Sequence, residues 1–108
     1  MKLVIVTATI DLPRAAACIG SWVTRASGRP ALYIVEQGTQ NREWELCGHE
    51  DMLLKRHYRF CRREILGVGP AFAVGVQQAL HDGADIIACF HDDLEIEYQG
   101  WDAEVLHL

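Results

Sequence analysis

Positive charge is in short supply in this sequence: ten Lys and Arg stand against fifteen Asp and Glu, a formal net charge of −5 over 108 residues. A polymer of nucleic acid or an anionic membrane is held by accumulated basic side chains, so the balance argues against both as partners, while a small anionic ligand needs only a local site. Long hydrophobic runs are also missing. The N-terminal Met1-Lys2-Leu3-Val4-Ile5-Val6 gives way at once to Thr7-Ala8-Thr9, too short for a membrane span or a signal-peptide core, which leads us to expect a cytoplasmic protein. The four cysteines, Cys18, Cys47, Cys61 and Cys89, form no CxxC pair, and a disulfide framework is not expected. No GxxxxGK[ST] occurs, which excludes a P-loop nucleoside triphosphatase. Gly67-Val68-Gly69-Pro70 lacks the third glycine of a dinucleotide fingerprint, because Phe72 stands there.

What is present is the composition of one globular domain, 50% hydrophobic and 23% charged. Lys2 to Ile10 is a β-branched run with apolar residues on both faces, the pattern of a strand buried in a parallel sheet. Asp11-Leu12-Pro13 then offers an N-cap and a first-turn proline, opening a helix through Ala15, Ile19, Trp22 and Val23 that stops at Ser27-Gly28-Arg29-Pro30. A second strand is expected over Ala31 to Val35, a loop over positions 40 to 50, a short helix from Glu50 to about Arg59 and a third strand over Ile65 to Val68. Gly67, Gly69 and Pro70 mark a tight turn. A helix follows over Ala71 to His81, closed by Asp82-Gly83, then a fourth strand over Ile86 to Phe90 and a further helix from Trp101. Alternation of this kind predicts an α/β fold: a Rossmann-like parallel sheet with helices on both faces and right-handed crossovers.

In such sheets ligands bind at the carboxyl ends of the strands, which directs attention to Thr7 to Asp11, Glu36 to Thr39, Gly69 to Ala71 and His91 to Glu95. The stretch Ile86-Ile87-Ala88-Cys89-Phe90 looks built for the middle of a sheet and stops at His91-Asp92-Asp93. Adjacent carboxylates repel one another, and a divalent cation removes that penalty. Mg2+ or Mn2+ is usually held by only one or two carboxylates and shares the rest of its shell with substrate phosphates. The plain alternative is a solvated strand end whose Asp pair only caps the strand.

Three other patterns carry less. Cys47-x-His49 with His57-x3-Cys61 could supply two sulfur and two nitrogen ligands to zinc, but the spacing matches no standard finger. Lys55 to Arg63 holds five of the ten basic residues; it could meet a diphosphate, an acidic acceptor or a membrane surface, and a solvated helix end is the preferred reading. Trp101 after Gly100 could stack on a sugar or base, and is read first as a packing anchor.

Taken together, the first strand, turn and helix, then Tyr33-Ile34-Val35-Glu36-Gln37-Gly38-Thr39, and then Gly67 through Trp101 with His91-Asp92-Asp93 inside it resemble family-2-type glycosyltransferases of the GT-A fold, in their N-terminal nucleotide-binding half. The resemblance spans essentially the whole chain and is strongest over 64 to 101. It implies a UDP- or GDP-type nucleotide-diphosphate-sugar donor, a divalent cation (Mn2+ or Mg2+) and sugar transfer to an acceptor. By the same resemblance Thr7 and Ala8 lie beside the base and Glu36 stands at the position that recognises base or ribose. Gly69, Pro70, Ala71 and Gly75 line the nucleotide pocket, and His91-Asp92-Asp93 takes the DXD position. Asp93 is then the metal ligand with His91 at the first DXD place, and Asp92 sits by the ribose or the metal.

His91 in place of Asp leaves fewer carboxylates for the cation, and Glu36 in place of Asp adds one methylene. No catalytic base is assigned, since the family places it in an acceptor-binding half for which no counterpart is read here; residues 1-108 are taken as a single nucleotide-sugar-binding domain. The alternative reading is a nucleotide-sugar-binding module without turnover, or a half that needs a partner chain. Without the second half the far edge of the sheet is expected to be open, and association into a homo-oligomer or with a covering partner follows from that expectation.

Overall fold

The computed structural model describes residues 1–38, 45–46, 58–65 and 67–107. Its elements run β1 (Leu3–Thr9), α1 (Leu12–Thr24), β2 (Ala31–Gln37), β3 (Glu45–Leu46), β4 (Tyr58–Arg62), α2 (Val68–His81), β5 (Ile86–His91) and α3 (Trp101–Leu106). The strands form one sheet in the order β3-β4-β2-β1-β5. All pairings are parallel except that of β3 with β4. The chain is therefore an α/β domain with a mainly parallel sheet, compatible with a Rossmann-like arrangement.

Helices cover both faces. On one face Ala15, Ile19 and Trp22 of α1 and Trp101 of α3 pack on Leu3, Ile5, Leu32 and Ile34. On the other, Ala71 and Ala79 of α2 pack on Val4, Val6, Ala8, Tyr33 and Val35. The split follows from the period-2 alternation of β1 and β2, whose successive side chains must point to opposite faces. Each fully buried large aliphatic contributes on the order of 1.5–3 kcal/mol, and both strands carry such residues on both faces.

Close approach of α2 depends on Gly75: a Cβ there would stand 2.4 Å from Val6 Cγ1 and 3.4 Å from Val35 Cγ2. Gly75, assigned by resemblance to the nucleotide pocket, thus lies against the sheet, where its missing side chain lets the helix sit down on β1. At the other end of α2, Gly83 has φ +84 and follows Asp82. The Asp82-Gly83 stop is a left-handed C-terminal cap, as expected from the sequence.

Three expectations are corrected. The third long strand is Tyr58–Arg62, within the basic stretch, and not Ile65 to Val68. Aromatic residues alternating with basic ones suit a pleated strand, and Cys61 there is fully buried. Ile65 is exposed, and Val68, Gly69 and Pro70 form the first turn of α2 rather than a turn before it, proline being tolerated where its missing N–H has no helical partner. β5 is an edge strand, not a central one; Cys89 and His91 are exposed and the others half-buried. Inside the expected loop, β3 adds a short antiparallel edge. The helix expected to start at Glu50 falls largely outside the described residues.

Candidate functional site at the switch point of the sheet

From β1 the chain leaves through α1 to β2 on one side; from β4 it returns through α2 to β5 on the other side of β1. The reversal makes the carboxyl ends of β1 and β5 the switch point, where open parallel sheets have the crevice that binds ligands.

That crevice is lined by polar side chains which the two strands deliver. The Thr9 hydroxyl donates to Asp92 Oδ2 at 2.8 Å and accepts from the Asp11 backbone N–H at 3.1 Å. Arg14 Nη2 donates to the same Asp92 oxygen at 3.3 Å, and Arg14 Nε lies 3.9 Å from Asp11 Oδ2. Asp11 is the N-cap of α1, its Oδ1 accepting from Arg14 N–H at 3.1 Å. One carboxylate from the turn after β5, one hydroxyl from β1 and one guanidinium from α1 are so joined. Thr9 is buried, whereas the Asp92 side chain keeps 21% and the Arg14 side chain 60% of its exposure.

The residues anticipated from sequence fall around this cluster. His91 stands beside Ala8 and Glu36 beside Thr9 in strand register, so β2, β1 and β5 present Glu36, Thr9 and His91-Asp92 along one rim. Glu36 is half-buried, and its Oε2 accepts from the Cys61 thiol at 3.9 Å. The His91 ring meets Phe72 of α2 edge-on, with centroids 6.0 Å apart. Gly69 is exposed in the first turn of α2, and Gln37 ties that turn to the end of β2 by donating to the Gly67 carbonyl at 3.2 Å. Ala8 faces α2, nearly buried. Thr7 lies deeper, fully buried, its hydroxyl donating to the Phe90 carbonyl at 2.7 Å as a tie between β1 and β5.

Asp93 is exposed and makes no hydrogen bond or ion pair with another described residue. Among the described residues no three His, Cys, Asp or Glu side chains converge as a metal cage. Asp93 thus offers a free carboxylate next to Asp92, which Thr9 and Arg14 already engage. Of the zinc pattern, Cys47, His49 and His57 lie outside the described residues, and Cys61 is buried on β4.

Sequence reasoning missed Thr9, Asp11 and Arg14 as one group. Asp11 was visible as an N-cap and Thr9 as a strand end, but nothing local tells that Arg14 leans toward a strand 78 positions away.

Trp101 is a packing anchor: buried, with its indole N–H donating to the Trp22 carbonyl at 2.9 Å and its ring 5.3 Å from Phe90. Below the rim, Trp22 Nε1 donates to the Leu94 carbonyl at 2.6 Å and the Ile96 N–H donates to Ser21 Oγ at 3.0 Å. These bonds fasten the segment after Asp93 to α1. No helix among the described residues is long and apolar enough to cross a membrane. Comparison with protein-family models, curated proteins and solved structures gave no match.

Proposed function

We propose that this chain is the nucleotide-sugar-binding domain of a GT-A-type glycosyltransferase, taking a UDP- or GDP-linked sugar whose transfer to an acceptor is assisted by Mn2+ or Mg2+. The observation that carries the reading is the bridge from Thr9 to Asp92 across the switch point between β1 and β5. A polar, partly exposed carboxylate at that crevice is where a ribose hydroxyl or a cation-bound diphosphate is held in open α/β sheets. In this reading Asp92 faces the ribose, Asp93 takes the cation with His91 beside it, and Glu36 with the rim at Ala8 and Gly69 borders the nucleotide. The cation supplies electrostatic stabilisation of the charge that develops on the leaving diphosphate.

Calorimetric titration with UDP and GDP, with and without Mn2+, tests it: binding should be tighter with the cation, and Asp93→Asn should remove that enhancement. Absence of nucleotide binding under both conditions would refute the proposal. Release or transfer of sugar from a labelled nucleotide-sugar then separates an enzyme from a binding module without turnover.

A further inference from the structure

Among the described residues Arg14 is the one Lys or Arg side chain within the polar cluster at the switch point, and its geometry is unlike that of a structural ion pair. Its guanidinium spends a single nitrogen on Asp92, at 3.3 Å, and lies 3.9 Å from Asp11 through another. A planar guanidinium carries five N–H donors in a fork suited to two oxygens at once, so most of its hydrogen-bonding capacity faces solvent. With 60% of its side chain exposed, Arg14 is free to change partners, because little packing holds it. Asp92, only 21% exposed and fixed by the Thr9 hydroxyl, is the rigid member of the pair.

We propose that Arg14 is the diphosphate-recognising residue of this site, an inference that rests on the nucleotide-sugar reading above. Without ligand it neutralises Asp92. With a nucleoside diphosphate in the crevice it turns its fork to the phosphate oxygens and frees the Asp92 carboxylate for the ribose or the accompanying cation. Coupling follows from the charges alone. A divalent cation approaching Asp92 and Asp93 by itself meets the guanidinium and is repelled. Arriving with a diphosphate, it meets a site whose positive charge has moved onto the phosphate. Cation and diphosphate should thus bind together much better than either does alone, and Arg14 is the reason.

The test is calorimetric titration of the full chain and of Arg14→Gln with MnCl2 alone, with UDP and GDP each with and without Mn2+, and with uridine and guanosine as probes lacking phosphate. Arg14→Gln is expected to weaken diphosphate binding by about tenfold or more, the loss of a charged hydrogen-bonding partner. It should not weaken nucleoside binding, since a nucleoside offers the fork no phosphate, and it should bind Mn2+ alone more tightly than the parent chain. Arg14→Lys, which keeps the charge and loses the fork, should fall between them. Diphosphate affinity within about twofold of the parent would overturn the assignment of Arg14 while leaving the nucleotide reading intact. A parent chain that binds no diphosphate at all would overturn both. Unchanged far-UV circular dichroism of the variants, expected for so exposed a residue, ties the outcome to the ligand.

Discussion

Thr9 and Asp92, 83 positions apart in the chain, are joined by one hydrogen bond that closes the gap between the ends of β1 and β5. The Thr9 hydroxyl serves both sides of the crevice, donating to Asp92 and accepting from the Asp11 N–H that starts α1. Replacing Thr9 by Val keeps the shape and removes both bonds, leaving a partly buried N–H and carboxylate to find water. We expect a loss of about 1–2 kcal/mol in urea unfolding, since Asp92 retains solvent access and Arg14 as partner. A loss under about 0.3 kcal/mol would mean that water replaces the hydroxyl fully.

Gly75 gives a sharper packing test. Gly to Ala inside a helix ordinarily stabilises by up to about 1 kcal/mol, but here the new methyl would stand 2.4 Å from Val6 Cγ1. Overpacking should win, and Gly75→Ala is expected to cost about 1–3 kcal/mol. Val6→Ala vacates the same space, so a double-mutant cycle should show favourable coupling between the two changes. Additive effects would contradict the close approach of α2 to β1.

Asp102 makes stability depend on acid. Burial alone would raise its pKa, but hydrogen bonds from the Ser27 N–H at 2.7 Å, the Gly28 N–H at 2.7 Å and the Ser27 hydroxyl at 3.0 Å stabilise the carboxylate and lower it below 3.8. Asp82 is lowered as well, chiefly by the hydrogen bond from the Tyr33 hydroxyl. A depressed folded-state pKa contributes stability above the unfolded value and loses it as pH falls through the folded value. Wild type should therefore weaken as pH drops below about 4, and Asp102→Asn should flatten that dependence while costing about 2 kcal/mol at neutral pH. Denaturation midpoints measured from pH 7 to pH 2.5 check this; identical slopes for the two chains would contradict it.

How much of this could be read in the sequence depended on whether the signal was local. β1, the Asp11 cap, β2, the Asp82-Gly83 stop and the end of β5 each announce themselves within a few residues, and each falls within two residues of where the sequence puts it. β4 was misplaced because Tyr58–Arg62 mixes aromatic and basic residues, and its basic density resembles a helix end more than a strand. Ile65 and Val68 are β-branched, but Gly67 between them caps a helix that Val68, Gly69 and Pro70 begin. At the site, Asp92 was visible because a hydrophobic strand stops there. Arg14 was not, since which way a helix leans is decided by the packing of Ala15, Ile19 and Trp22 on the sheet. The edge position of β5 was hidden for a related reason: an apolar run states that a strand is to be covered, not by what.

β5 supplies the last prediction. Its run Ile86–His91 carries no Lys, Glu or Pro, the residues by which sheet edges usually discourage further pairing. Among the described residues no strand pairs with it on the side away from β1. α2 packs chiefly over β1 and β2, so Cys89 is exposed and Leu80 of α2 keeps 60% of its surface. An open edge flanked by exposed apolar surface favours strand addition between copies. We expect sedimentation equilibrium, in the presence of a reductant so that Cys89 cannot cross-link, to show an average mass that rises with concentration. Cys89→Lys places a charge on the edge without touching the core and should shift that mass toward the monomer. Because the substituted side chain lies on the exposed edge, its unfolding midpoint should change little, within about 0.5 kcal/mol. A parent chain that stays monomeric at high concentration would show that the edge is guarded by something other than the side chains of β5, and the prediction would fail.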